Sequence, residues 1–237
     1  MPDRVAVLSC DTDWAAEATL AEAHELLSSF GLPLTYFVTQ RYATLDRPQR
    51  VPLELGPHPN FEALAPEPAL EAAMAVTPGA VSFRAHSLHF TTRLRPLLRR
   101  HRLRFSSSVM MYLQPGIRTF PAGYDLVEVP LFWMDLFHLE YCELAGRPAL
   151  EVPAAALAEP GLKVLAIHPV HLVLNTQSRE HYAAARSAYH DPAALRAARS
   201  RGGGRGIRDL FSEMVRELLR LDYEFVLLRD AGAALGR

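Results

Sequence analysis

Val5-Ala6-Val7-Leu8-Ser9-Cys10 runs into Asp11-Thr12-Asp13, and the chain then continues through Ala15–Phe30 to Gly31-Leu32-Pro33 and Leu34-Thr35-Tyr36-Phe37-Val38. The first run is short and almost wholly apolar, as expected of a strand covered on both faces. Residues 15–30 carry apolar side chains at helical spacing and stop at Gly31, which can take the left-handed conformation that ends helices. Leu34–Val38 is rich in aromatic and β-branched residues and reads as a second strand. Strand, helix and strand in this order form a βαβ unit, whose two strands must be parallel.

Working outward, the same alternation continues. Strands are expected at Val51–Leu55, Ala80–Phe83, Arg104–Ser107, Asp125–Pro130, Leu162–Ile167 and Tyr223–Leu228. Helices are expected at Glu62–Met74, with a start delayed by Pro66 and Pro68, at Thr91–Arg100, at Glu180–Arg199 with a break near Pro192, and at Ile207–Leu221. Segments 42–50 and 108–124 read as irregular surface loops, and Gly202–Gly206 as a flexible one. About seven strands alternating with helices predict an α/β fold, either a barrel or an open parallel sheet. No short repeat and no linker divides the 237 residues, so residues 1–237 are expected to form a single domain.

Composition narrows the function. With 25 basic and 26 acidic residues the net charge is −1, so no field of one sign favours nucleic acid or an anionic membrane. The basic run from Arg93 to Arg104 reads as a solvated helix face and the turn after it. Two cysteines, Cys10 and Cys142, do not make a disulfide framework. The amino terminus lacks the pattern of a signal peptide, and no apolar run is long enough to span a membrane. A soluble, cytoplasmic protein is the expectation, and the sequence leaves its oligomeric state open.

The polar residues are informative by position. Asp11 and Asp13 follow the first strand, His58 and Asn60 the third, and Arg84 and His86 the fourth. Trp133, Asp135 and His138 follow the Asp125–Pro130 strand, and His168 and His171 the penultimate one. Parallel α/β folds gather the carboxyl ends of their strands on one face, where active sites form. Asp13 could instead cap the helix after it, His58 could be a turn residue, and His168 and His171 could be core histidines. Two carboxylates two positions apart repel unless a cation lies between them. Imidazole plus carboxylate suits a divalent ion such as Zn2+ or Mn2+, which activates water beside a carboxylate base and a histidine acid. His24, His101, His181 and His190, and the pair Tyr182 and Tyr189, read as structural.

Ser9-Cys10-Asp11-Thr12-Asp13-Trp14, the Phe30–Val38 strand entry, Gly56-Pro57-His58-Pro59-Asn60-Phe61, Phe83-Arg84-Ala85-His86, Val129–Trp133 and Ile167-His168-Pro169-Val170-His171 together resemble polysaccharide deacetylases, the NodB homology domain of carbohydrate esterase family 4, and within it a branch tied to O-antigen and surface-glycan clusters. The resemblance runs in order from about residue 5 to 176. It implies a distorted (β/α) barrel with about seven parallel strands. It also implies a divalent metal, Zn2+ first and Mn2+, Fe2+, Co2+ or Ni2+ as alternatives. Asp11 would be the base, oriented by Arg84; Asp13 and His58 would be metal ligands; His168 or His171 would be the acid. Trp133 would wall the substrate pocket, with Asn60, Asp135 and His138 beside the substrate.

The sequence departs from the family in one respect: the usual second loop histidine is missing, since Phe61–Gly79 contains none. His86 is taken as the third ligand, with His171, His138 and Glu62 as the other candidates. The expected activity is removal of an N-acyl group, acetyl or formyl, from a small amino-sugar substrate. The alternatives are a catalytically impaired glycan-binding protein on the same fold and a barrel metalloenzyme of another reaction type.

Overall fold

The computed structural model describes residues 3–199 and 204–234. Ten strands occur among these residues: β1 (Arg4–Asp11), β2 (Leu34–Val38), β3 (Leu53–Pro57), β4 (Ser82–Phe83), β5 (Phe105–Ser106), β6 (Phe120–Gly123), β7 (Leu126–Glu128), β8 (Trp133–Met134), β9 (Gly161–Ile167) and β10 (Glu224–Phe225). One sheet has the order β3-β2-β1-β9-β8, all parallel, with β10 added to the start of β1. The other runs β4-β5-β7-β6 and is parallel except for the β6–β7 hairpin.

The two sheets close on each other at both edges. Arg84 N–H donates to the Pro57 carbonyl and His86 N–H to that of Pro59, joining β4 to β3. On the other side a single run of chain leaves β7 and becomes β8, with Phe132 N–H bonded to the Val164 carbonyl of β9. Seven parallel positions result, counting β7 and β8 as one, and they form the expected distorted barrel. Gly56 makes the β3–β4 closure possible: a Cβ there would sit 2.5 Å from the Ser82 carbonyl oxygen.

Burial explains the elements. β1 is buried along nearly its whole length because helices cover one face and the barrel interior the other. The helix Glu17–Ser28 turns Leu20, Ala23 and Leu27 inward, and the helix Ile207–Arg220 turns in Leu210, Phe211, Met214 and Leu218. Each of the Leu, Phe and Met side chains contributes about 1.5–3 kcal/mol on full burial. Register levels the strand ends: Cys10 lies opposite both Tyr36 and Ile167, and Asp11 opposite Phe37. The residues after β1 and β9 therefore open onto the same face.

Some sequence expectations shift. The third strand runs Leu53–Pro57, two residues later than expected, because its pairing with β2 continues into Gly56-Pro57. The second helix starts at Pro66, where proline occupies the first turn. Segment 42–50 contains the short helix Ala43–Asp46, held by the Glu17 carboxylate through Ala43 and Thr44 N–H. Segment 108–124 is no surface loop throughout: it supplies β6 and buries Ser108, Ile117 and Thr119. The last strand shortens to Glu224–Phe225, and Leu228 opens a helix. Gly202 and Gly203 of the expected glycine loop lie outside the described residues. No helix among the described residues is long and apolar enough to cross a membrane.

Candidate active site

Asp13 lies at the centre of the strand-end face. Its Oδ1 is 3.0 Å from His58 Nε2 and 3.3 Å from His86 Nδ1, and its Oδ2 is 3.4 Å from His168 Nε2. Asp13 does not cap the helix that follows it; the capping position is Ala16, which has no side-chain bond. His58 donates its Nδ1–H to the Arg84 carbonyl at 2.8 Å, which fixes the ring with Nε2 facing Asp13. Asp13 Oδ1 and His86 Nδ1 are both buried, and neither is satisfied by a hydrogen bond.

Two imidazole nitrogens and a carboxylate oxygen that face one another are the donor types that suit a divalent cation. The candidate ligand atoms of Asp13, His58 and His86 all lie within 4.8 Å of one another. Two ligands each about 2.0–2.2 Å from a common ion stand roughly 3.0–3.5 Å apart, which matches the two observed separations. Burial by itself raises the Asp13 pKa, but the imidazoles of His168, His58 and His86 outweigh it and hold the carboxyl well below the usual carboxylate range. The Asp13 carboxylate beside it is the leading influence that raises the His86 pKa.

The backbone at this point is unusual. Asp13 and Trp14 are consecutive residues with φ of 41° and 57°. Left-handed backbone costs about 1–2 kcal/mol for each residue with a Cβ, so neighbouring contacts must hold the turn.

Asp11 sits on the barrel-interior side of the cluster. Arg84, fully buried, donates from Nη1 to Asp11 Oδ1 at 2.8 Å and to Ser9 Oγ at 3.0 Å. Its Nε and Nη2 donate to the Ser107 carbonyl and hydroxyl, both at 2.8 Å. The guanidinium fork thus fixes Asp11 while the Arg84 carbonyl fixes His58.

His168 follows β9. Its Nδ1 bonds Asp135 Oδ1 at 2.7 Å, and its backbone N–H donates to Asp135 Oδ2 at 2.7 Å. Burial disfavours its charge, yet Asp135 and Asp13 overcome this and raise its pKa to about 10. It is therefore an imidazolium at neutral pH. His171 differs: burial lowers its pKa to about 4, and its Nδ1 is engaged with Thr176 Oγ1 at 2.8 Å. Asp135, His168 and His171 also cluster closely enough for a metal, but Asp135 is already occupied by three hydrogen bonds, so this group fits one poorly.

Asp11, Asp13, His58, His86 and His168 line one cleft of about 710 Å³, together with Leu88, Met134, Leu136 and Tyr182. Five of the other expected site residues do not line it. Trp133 is fully buried in the core and forms no wall; Met134 and Leu136 face the cleft instead. His138 is buried between Tyr112 Oη and the Ala149 carbonyl, each at 2.6 Å, because a helix starts at Asp135 and rotates it inward. Asn60 spends its side-chain oxygen on the N–H groups of Glu62 and Ala63. His171 points into the core, so of the two histidines only His168 faces the cleft. Asp135 is also fully buried and reaches the site through His168 rather than by facing a substrate. Of the other third-ligand candidates, Glu62 lies near His89 at 3.6 Å, away from Asp13. Arg179 and Arg186, on the far wall of the cleft, carried no signal in the sequence.

The arrangement is that of a polysaccharide deacetylase. The WbmS-like polysaccharide deacetylase family matches residues 8–186, and the chain belongs to this family. Among solved structures it is similar to a protein of Bordetella bronchiseptica described as a polysaccharide deacetylase involved in O-antigen biosynthesis (WbmS), at 27% identity and a TM-score of 0.78, over 90% of each chain. A protein of Mycobacterium smegmatis described as a polysaccharide deacetylase shares the fold, with 18% identity and a TM-score of 0.54, over 100% of this chain and 93% of the other. No curated protein sequence matches the chain.

Proposed function

We propose that the chain is a divalent-metal-dependent amide hydrolase that removes an N-acyl group, acetyl or formyl, from an amino sugar of a surface-glycan precursor. The observation that carries this reading is the convergence of Asp13 Oδ1, His58 Nε2 and His86 Nδ1 within 4.8 Å of one another, beside a held carboxylate and a charged imidazole. His86, supplied from the end of β4, replaces the absent loop histidine. A three-ligand set favours the hydrolase over a non-catalytic glycan-binding protein.

Asp13, His58 and His86 would hold the ion, and Zn2+ suits two imidazoles and one carboxylate with a fourth position open. When bound, the ion would polarise the acyl carbonyl and lower the pKa of water. Asp11 accepts the proton of the attacking water, its carboxylate oriented by Arg84. His168 donates a proton to the departing amine nitrogen, and Asp135 maintains the charge that makes this possible. Helix 179–185 and the 134–136 segment line the walls of the cleft in which the substrate would sit.

The test is release of acetate or formate from N-acylated hexosamines by protein reconstituted with Zn2+. The expected result is turnover that falls at least a hundredfold in both Asp11→Asn and His86→Ala. Full activity in His86→Ala would overturn the ligand assignment, and full activity in Asp11→Asn would overturn the base.

A further inference from the structure

Two consecutive residues with left-handed backbone, Asp13 and Trp14, need anchors, and the structure supplies one on each side. Trp14 N–H donates to Thr39 Oγ1 at 2.9 Å, which ties the turn to the end of β2. The Tyr189 hydroxyl donates to the Asp13 carbonyl oxygen at 2.8 Å, across a sequence separation of 176 residues. Tyr189 follows the short helical turn Arg186–Ala188, just beyond the last residue matched to the family, in a cap of short helices at 179–198. The same cap grips the first helix a second time, where Arg196 and Arg199 both bond the Glu22 carboxylate. Burial, and then the Asp13 carboxylate, push the Tyr189 phenol up, so it remains a donor.

We propose that Tyr189 is a positioning residue for the metal site: its hydroxyl holds the Asp13 backbone in the left-handed turn that aims Oδ1 at His58 and His86, so that docking of the helical cap completes the ligand set. This rests on the metal reading above. Of the three candidate ligands, only Asp13 itself takes a left-handed φ; His58 is held by the Arg84 carbonyl, and the His86 N–H is held by the Pro59 carbonyl. Loss of the hydroxyl should therefore act on metal affinity beyond its effect on stability, because support of a ligand by a neighbouring hydrogen bond commonly changes affinity 10–100-fold.

The experiment is chelator-competition titration of the full chain with Zn2+ alone, on wild type, Tyr189→Phe, Thr39→Val and Tyr36→Phe. Tyr36 is the matched control: its buried hydroxyl bonds His24 at 2.9 Å, away from the site. The expected result is a Zn2+ Kd raised roughly tenfold in Tyr189→Phe, a change in the same direction in Thr39→Val, and no change in Tyr36→Phe. Wild-type affinity in Tyr189→Phe, or equal weakening in Tyr36→Phe, would overturn the inference and leave the hydrolase reading standing. If Tyr189→Phe does not fold, Thr39→Val decides the same question. Absence of Zn2+ binding by the wild-type protein would instead overturn the metal reading, and this inference with it.

Discussion

His168 lies between two carboxylates, bonded through Nδ1 to Asp135 at 2.7 Å and facing Asp13 Oδ2 with Nε2 at 3.4 Å. Both ring nitrogens therefore carry protons, and the ring is poised to donate the one on Nε2. Since activity needs the protonated form, kcat falls as pH rises through the His168 pKa. Asp135→Asn removes the partner that counts most in raising that pKa. The alkaline limb of the kcat profile should then move to lower pH, and kcat at pH 8 should drop at least tenfold. A pH–rate profile of the variant checks this. The sign for stability follows in the same way: a pKa raised to about 10 from 6.5 contributes stability that is complete below pH 6.5 and is lost as pH rises toward 10.

Arg84 and Asp11 form a buried ion pair with side chains 0% and 2% exposed. Removing one partner leaves the other charge buried and unpaired, at a cost of about 3–5 kcal/mol. Arg84→Met should show that loss in urea unfolding. Adding Asp11→Asn should return part of it, because the remaining group is neutral. Equal stability of the single and double variants would contradict the pairing.

The converging side chains of Asp13, His58 and His86 should make stability respond to metal. A ligand present at 100 times its Kd stabilises by about 2.7 kcal/mol. Zn2+ should therefore raise the melting temperature of the wild-type protein measurably, and EDTA should reverse it. His86→Ala should respond far less. Calorimetric scans with and without Zn2+ measure the difference.

His138 serves the core rather than the substrate. His138→Ala removes the partner of Tyr112 Oη and should cost about 1–3 kcal/mol for the group left unsatisfied. KM should stay within twofold of wild type. A large rise in KM without loss of stability would return His138 to the cleft.

The reach of the sequence follows from this geometry. Asp11, Asp13, His58, Arg84, His86 and His168 were legible because parallel strands share polarity, and each of these residues lies within three positions of a strand's carboxyl end. Orientation beyond the strand end was not legible. The helix Asp135–Leu144 starts from Met134, which makes no side-chain cap, so nothing marked the change from period two to 3.6 that turns His138 away and Leu136 outward. Around His171 the helix Pro169–Leu174 is buried on every side, so it shows no amphipathic pattern, although Pro169 in its first turn was a usable signal. Tyr189 read as a packing residue because its hydroxyl bonds a backbone carbonyl 176 positions away, a contact that no local pattern encodes.

The most direct test of the central claim is the anomalous scattering of crystals grown with Zn2+, collected on both sides of the zinc edge. The expected result is one strong peak about 2.0–2.2 Å from Asp13 Oδ1, His58 Nε2 and His86 Nδ1. A peak ligated by Asp135 and His171 instead, or no peak at the Asp13 cluster under saturating Zn2+, would contradict it.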